Sequence, residues 1–125
     1  MLVIVASYNM ENYLTGTLFS LSKYYQNLED YEVLTINNGG EKINENFFYK
    51  FGRNFKYKYI EKSDADVHPY IEINKTIEKT HHDKIVIICD GARICSKNIL
   101  DDYIKILNES EFDICTCPSY HLGFD

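Results

Sequence analysis

Asp90 and Arg93 stand three residues apart directly after the apolar run 85–89. Together they could manage a diphosphate, the carboxylate through a divalent cation and the guanidinium by charge-assisted hydrogen bonds. The same spacing also arises from an aspartate capping a turn beside a solvated arginine, so the pair alone does not decide. Other standard chemistries fail on residue type. Residues 7–12, which follow the first apolar run, contain no glycine, and a dinucleotide fingerprint needs three so that backbone can approach a pyrophosphate. No glycine-rich stretch ends in Lys followed by Ser or Thr, and no serine sits in a nucleophile elbow. Cys89, Cys95, Cys115 and Cys117 match neither paired zinc spacing nor a thioredoxin motif. They read as four buried or partly buried free thiols in a reducing, cytoplasmic setting.

The elements that position such residues follow from hydrophobic periodicity. Residues 2–6 are a continuous apolar run, the pattern of a strand buried on both faces. Tyr13, Leu14, Leu18, Leu21 and Tyr25 then recur at helical steps and predict a helix over about residues 11–26. Residues 31–37 return to strand character and stop at Asn37, Asn38, Gly39 and Gly40, which tolerate positive φ. A short amphipathic helix carries Ile43, Phe47, Phe48 and Phe51, with Gly52 at its C-cap. Residues 55–60 alternate aromatic and lysine at period two, as a strand near a sheet edge does. After a polar loop over 62–68, Pro69 opens a helix bearing Ile73 and Ile77 that runs to about His81 and His82. Residues 84–89 read as the clearest buried strand, Ser96 as the cap of a helix bearing Ile99, Leu100, Tyr103, Ile104 and Leu107, and residues 112–117 as a fifth strand.

Strand and helix in alternation predict a mostly parallel sheet covered by helices on both faces, a three-layer α/β/α sandwich. Right-handed crossovers place the carboxyl ends of the strands on one rim, where open α/β sheets bind ligands. Chemistry should therefore collect at residues 7–9, 37–40 and 90–93.

Composition narrows the partners. The chain has 125 residues, 45% hydrophobic and 26% charged, which suits a single folded domain over 1–125 rather than disorder. Lys and Arg number 13 against 19 Asp and Glu, for a net charge of -6, which disfavours nucleic acid and anionic membrane surfaces. No apolar run approaches the roughly 20 residues of a membrane span, and residues 1–7, with no basic segment leading an apolar core, do not read as a signal peptide. The lysines and aromatics over 50–62 superficially suggest a stacking platform for single strands, but alternation on an exposed strand explains them more simply. Asp64 and Asp66 read as loop-solubilising, and the adjacent His81 and His82 as a solvated helix end whose rings point apart.

The run Val3-Ile4-Val5-Ala6-Ser7-Tyr8-Asn9, with Tyr13-Leu14 after it, resembles the opening of family 2 glycosyltransferases of the GT-A fold. Residues 31–39 are similar to that family's second strand and its acidic turn, and Asn74 with residues 84–90 to its Asn-containing helix and the strand leading to an Asp-x-Asp site. Tyr120-His121-Leu122 has a counterpart in some members. The likeness covers nearly the whole chain through order and spacing rather than through one motif.

The resemblance implies a nucleotide-diphosphate sugar as donor, with a UDP-sugar expected. Ala6, Ser7 and Tyr8 would line the base, the Tyr8 ring stacking on it. Asn37 or Asn38 would take the place of an Asp that reads the uracil edge. His68 falls near a position often basic in relatives, and Asp90 corresponds to the first metal carboxylate, holding Mn or Mg. Relatives supply a second acid, whereas this chain continues Gly91-Ala92-Arg93, so Arg93 is expected to take over part of the cation's charge. The acceptor, a glycan or lipid-linked hydroxyl, and the general base belong by resemblance to a half beyond Asp125, which leaves the catalytic residue unknown and this part inactive alone. A sheet edge or face left open by that absence would favour a homodimer. The alternative is a non-catalytic α/β interaction module with a degenerate sugar-nucleotide pocket, favoured by Ala6, Gly91 and Ala92.

Overall fold

The computed structural model describes residues 1–89, 91–111 and 113–117. Four strands, β1 (Leu2–Ser7), β2 (Glu32–Asn38), β3 (Phe55–Ile60) and β4 (Ile85–Ile88), alternate with helices α1 (Glu11–Ser20), α2 (Asn46–Tyr49), α3 (Tyr70–Lys79) and α4 (Ile99–Glu109). All strand pairs are parallel, in the order β3-β2-β1-β4. The chain moves outward from β1 through β2 to β3 and then returns to the other side of β1. The switch point of the sheet therefore lies between β1 and β4.

Both faces of β1 are covered, and its side chains divide by parity, as a pleated strand requires. Val3 and Val5 join Leu14, Leu18, Val33, Phe48, Phe55 and Leu100 in one core, which is the layer of α1, α2 and α4. Leu2, Ile4 and Ala6 join Ile36 and Ile73 in a second core beneath α3. Each fully buried aliphatic side chain contributes about 1.5 to 3 kcal/mol, so β1 is the element the fold can least spare. The expected three-layer α/β sandwich with a parallel sheet is the one formed.

The structure departs from the sequence reading in several places, and α2 is shorter than expected, with Lys50 rather than Gly52 as its C-cap. The first helix ends at Ser20 rather than near residue 26, because the Ser20 and Ser22 hydroxyls donate to the Thr17 and Phe19 carbonyls and the chain continues in tight turns. Leu21 stays buried there, whereas Tyr13 and Tyr25 are exposed. The strand that reads as the clearest buried one, β4, is half-buried with Ile87 exposed, since among the described residues it pairs with β1 alone and forms an edge. The residue before α4 is Asn98 in the left-handed region (φ 61°), with Ser96 two residues farther out. Residues 113–117 form no strand, and Phe112 lies outside the described residues. Finally, α3 ends at Lys79, and the His81 and His82 rings stack with centroids 4.7 Å apart instead of diverging.

No disulfide joins the cysteines among the described residues, and Cys89 and Cys117 are exposed, against the expectation of burial. Cys95 is half-buried, and burial pushes its thiol pKa up. Among the described residues, no helix is long and apolar enough to cross a membrane.

Candidate functional site

The first wall of the site is the end of β1. Ala6 and Ser7 are buried, and the Ser7 hydroxyl oxygen has no hydrogen-bond partner among the described residues. Tyr8 then turns outward with 55% of its surface exposed, leaving its ring open to stack. Asn9 takes the left-handed conformation (φ 51°), which its short amide side chain tolerates, and Met10 receives the first backbone bonds of α1 from Tyr13 and Leu14.

The second wall is the end of β2, where pleating sends Asn37 and Asn38 to opposite faces. Asn37 is consumed by the turn. Its Oδ1 accepts from the Gly40 N–H at 3.0 Å, and its Nδ2 donates to the Glu41 carbonyl at 2.6 Å and to the Tyr57 hydroxyl at 3.2 Å. Asn38 is the one that reaches the cavity. Its Nδ2 donates to the Asp66 carbonyl at 2.8 Å, and its buried Oδ1 has no partner among the described residues. Gly39 follows at φ 86°, and a Cβ there would meet the Ala65 Cβ at 2.8 Å, so only glycine lets the next loop come this close.

That loop, residues 61–69 between β3 and α3, forms the third wall. Backbone bonds from Asp64 and Ala65 to the Glu61 carbonyl curl its first half, and the Asp66 Oδ1 accepts the His68 N–H at 3.2 Å. Lys62, Ala65, Asp66, Val67 and Pro69 line the cavity, and Val67 is 90% exposed at its mouth. His68 is exposed outside this wall, its ring 5.7 Å from that of Tyr70.

Cys89 and Gly91 close the fourth side, after β4. A Cβ on Gly91 would stand 3.1 Å from the Leu14 Cδ2 and 3.2 Å from the Ser7 Oγ, so a larger residue here would require these side chains to shift. Arg93 is half-buried and is not one of the wall residues. Asp90, the expected metal carboxylate, lies outside the described residues, as do Tyr120, His121 and Leu122. The four walls enclose a cavity of about 520 Å³, within the usual range of small-molecule sites.

The expected convergence of the β1, β2 and β4 ends is thus present for Ala6, Ser7, Tyr8, Asn38 and Gly91, and not for Asn37, His68 or Arg93. Met10, Lys62, Ala65, Asp66, Val67, Pro69 and Cys89 also line the cavity and are not among the sequence's candidate site residues. One signal could have found the loop residues: the carboxyl end of β3 must open on the same rim as that of β1, so its loop borders the same opening. Among the described residues, no group of three or more His, Cys, Asp or Glu side chains could share a metal. The described wall offers one carboxylate, Asp66, and one thiol, Cys89.

No family profile and no curated relative matches the sequence. Solved structures do. The crystal structure of S. aureus TarS 1-349 superposes with a TM-score of 0.71 at 23% identity, over 86% of this chain and 32% of that one. The same protein in complex with UDP matches equally, and its complex with UDP-GlcNAc gives a TM-score of 0.69 at 22% identity. The chain therefore shares the α/β fold of the matching part of TarS and spans about a third of the TarS 1-349 chain.

Proposed function

We propose that this chain is the donor-binding part of a family 2-like, inverting glycosyltransferase and that the cavity holds the nucleotide of a UDP-sugar. The observation that carries the reading is the pair of unpartnered buried oxygens, Ser7 Oγ and Asn38 Oδ1, in walls contributed by adjacent strands. A buried polar atom without a partner costs about 1 to 3 kcal/mol, which a ligand donor can recover. Because the Asn38 nitrogen faces a carbonyl, its Oδ1 is left as a pure acceptor, suited to the ring N–H of uracil and unsuited to the bare ring nitrogen of cytosine. Tyr8 stacks on the base, and Lys62 provides positive charge for phosphate oxygens. The UDP and UDP-GlcNAc complexes of TarS, which shares the fold, support this choice of ligand.

In the proposed reaction an acceptor hydroxyl attacks the anomeric carbon in line as the bond to the diphosphate breaks, inverting that carbon. The residues described here bind and orient the donor, and the acceptor and its base are left to other parts of the enzyme. A divalent cation at Asp90 and self-association through the open edge of β4 belong to the same reading.

A thermal-shift series with UDP, CDP, GDP and their sugars tests it. A ligand at 100 times its Kd adds about 2.7 kcal/mol of stability, so UDP and a UDP-sugar should raise the midpoint clearly while CDP does not. A flat response to every nucleotide would replace the reading with a non-catalytic module.

A further inference from the structure

We propose that Asn38 is a positioning residue that clasps the loop 61–69 against the end of β2, so that loop closure and base selection depend on the two ends of a single amide. The inference rests on the donor-binding reading for its ligand, but the clasp itself is a property of this chain alone. The contact joins residues 28 apart in sequence, and the acceptor is a backbone carbonyl, so the amide nitrogen must be the atom that faces it. A carboxylate at position 38 could not make this bond, because two acceptors would oppose each other. Asparagine is therefore the side chain that holds the loop and keeps a buried, unpartnered acceptor in the cavity wall.

The second contact between loop and sheet is steric. Gly39 lies under Ala65 closely enough to exclude any Cβ, and its N–H donates to the Ile60 carbonyl at 3.1 Å, which fixes the chain where the loop begins. Beyond Ala65 the loop has less to hold it. Asp66, Val67 and His68 are all exposed, and among the described residues the Asp66 side chain serves the local turn through the His68 N–H. The Asn38 amide bonds the carbonyl of Asp66, at the start of this exposed stretch, and Val67 at the cavity mouth is the next residue along. Releasing the amide frees the loop wall at the point where it borders the cavity. Low local stability with few buried contacts is the condition under which one hydrogen bond controls a segment.

The experiment compares the wild type with Asn38→Asp and Asn38→Ser. Asp keeps an acceptor and loses the clasp; Ser loses both and adds no charge, so it reports even if a buried carboxylate unfolds the first variant. Amide hydrogen exchange over 61–69, measured without nucleotide, should accelerate about tenfold in both variants, and by more than exchange in β1 does. UDP should bind about five- to tenfold more weakly to both. The ratio of UDP to CDP affinity should persist in Asp and fall toward unity in Ser, a split that a merely structural role would not produce. Unchanged exchange over 61–69 in both variants overturns the clasp, as does Asp binding UDP as tightly as wild type. If the wild type binds no UDP but the variants free the loop, the clasp stands and the donor-binding reading fails.

Discussion

The Thr17 hydroxyl donates to the Gly91 carbonyl at 2.7 Å, a buried bond between residues 74 apart in sequence. It ties the middle of α1 to the backbone just after β4, on the fourth side of the cavity. Helix α1 therefore does more than cover the sheet. It fixes the height at which Gly91 passes the Ser7 hydroxyl.

Thr17→Val keeps the shape and removes the donor, leaving a buried carbonyl unpaired. The expected loss is about 1 to 3 kcal/mol, read as a lower urea midpoint at unchanged m-value. UDP affinity should fall with it, because Gly91 is part of the wall. A midpoint within error of wild type would show that the bond carries nothing.

Gln26 is buried and serves three backbone groups: its Nε2 donates to the Ser20 carbonyl at 2.7 Å and the Ser96 carbonyl at 3.0 Å, and its Oε1 accepts from the Leu100 N–H at 3.2 Å. It thereby joins the end of α1 to the start of α4. Gln26→Leu should cost about 2 to 4 kcal/mol by chemical denaturation, more than one hydrogen bond, since three partners are orphaned together. Gln26→Glu keeps only the acceptor and should be no better at neutral pH.

Glu72 accepts from the Lys58 Nζ at 2.7 Å and the Lys75 Nζ at 2.6 Å, and these bonds, Lys58 first, lower its pKa below 4.5. A lowered folded value means the pair stabilises above pH 4.5 and is lost as pH falls through the folded pKa. The stability difference between wild type and Glu72→Gln should therefore be constant from neutral pH to about 5 and shrink below 4. A difference that does not change with pH would contradict this.

Tyr8 is exposed at the cavity wall, so its replacement tests stacking with little risk to the fold. Tyr8→Ala should weaken UDP about three- to tenfold, in line with about 0.5 to 1.5 kcal/mol for an aromatic pair, and Tyr8→Phe should restore it. The melting temperature without ligand should not move.

Much of this architecture was legible in sequence for a plain reason. The β-branched run of β1 and the aromatic and lysine alternation of β3 report burial directly, and β3 spans the expected residues 55–60 at the expected edge. What could not be read was what lies beside an element. The isoleucines of β4 look the same whether a further strand covers them or not, and here Ile87 is exposed. Leu21 kept the helical spacing although the backbone had left the helix, because serine hydroxyls competed for its carbonyls. Asn37 and Asn38 are chemically equal as a string, and only the pleat decides which one serves the turn and which the cavity. The loop 61–69 has no periodicity, so its place in the site rests on tertiary contacts through Gly39 and Asn38.

The most direct test maps UDP onto the folded chain by amide chemical shifts. Saturable changes should cluster on Ser7, Tyr8, Asn38, Gly39, Lys62, Ala65 and Gly91 and leave Asn37, the α2 helix and the far end of the sheet quiet. Shifts that do not saturate, or that gather away from these residues, would contradict a nucleotide site at this rim.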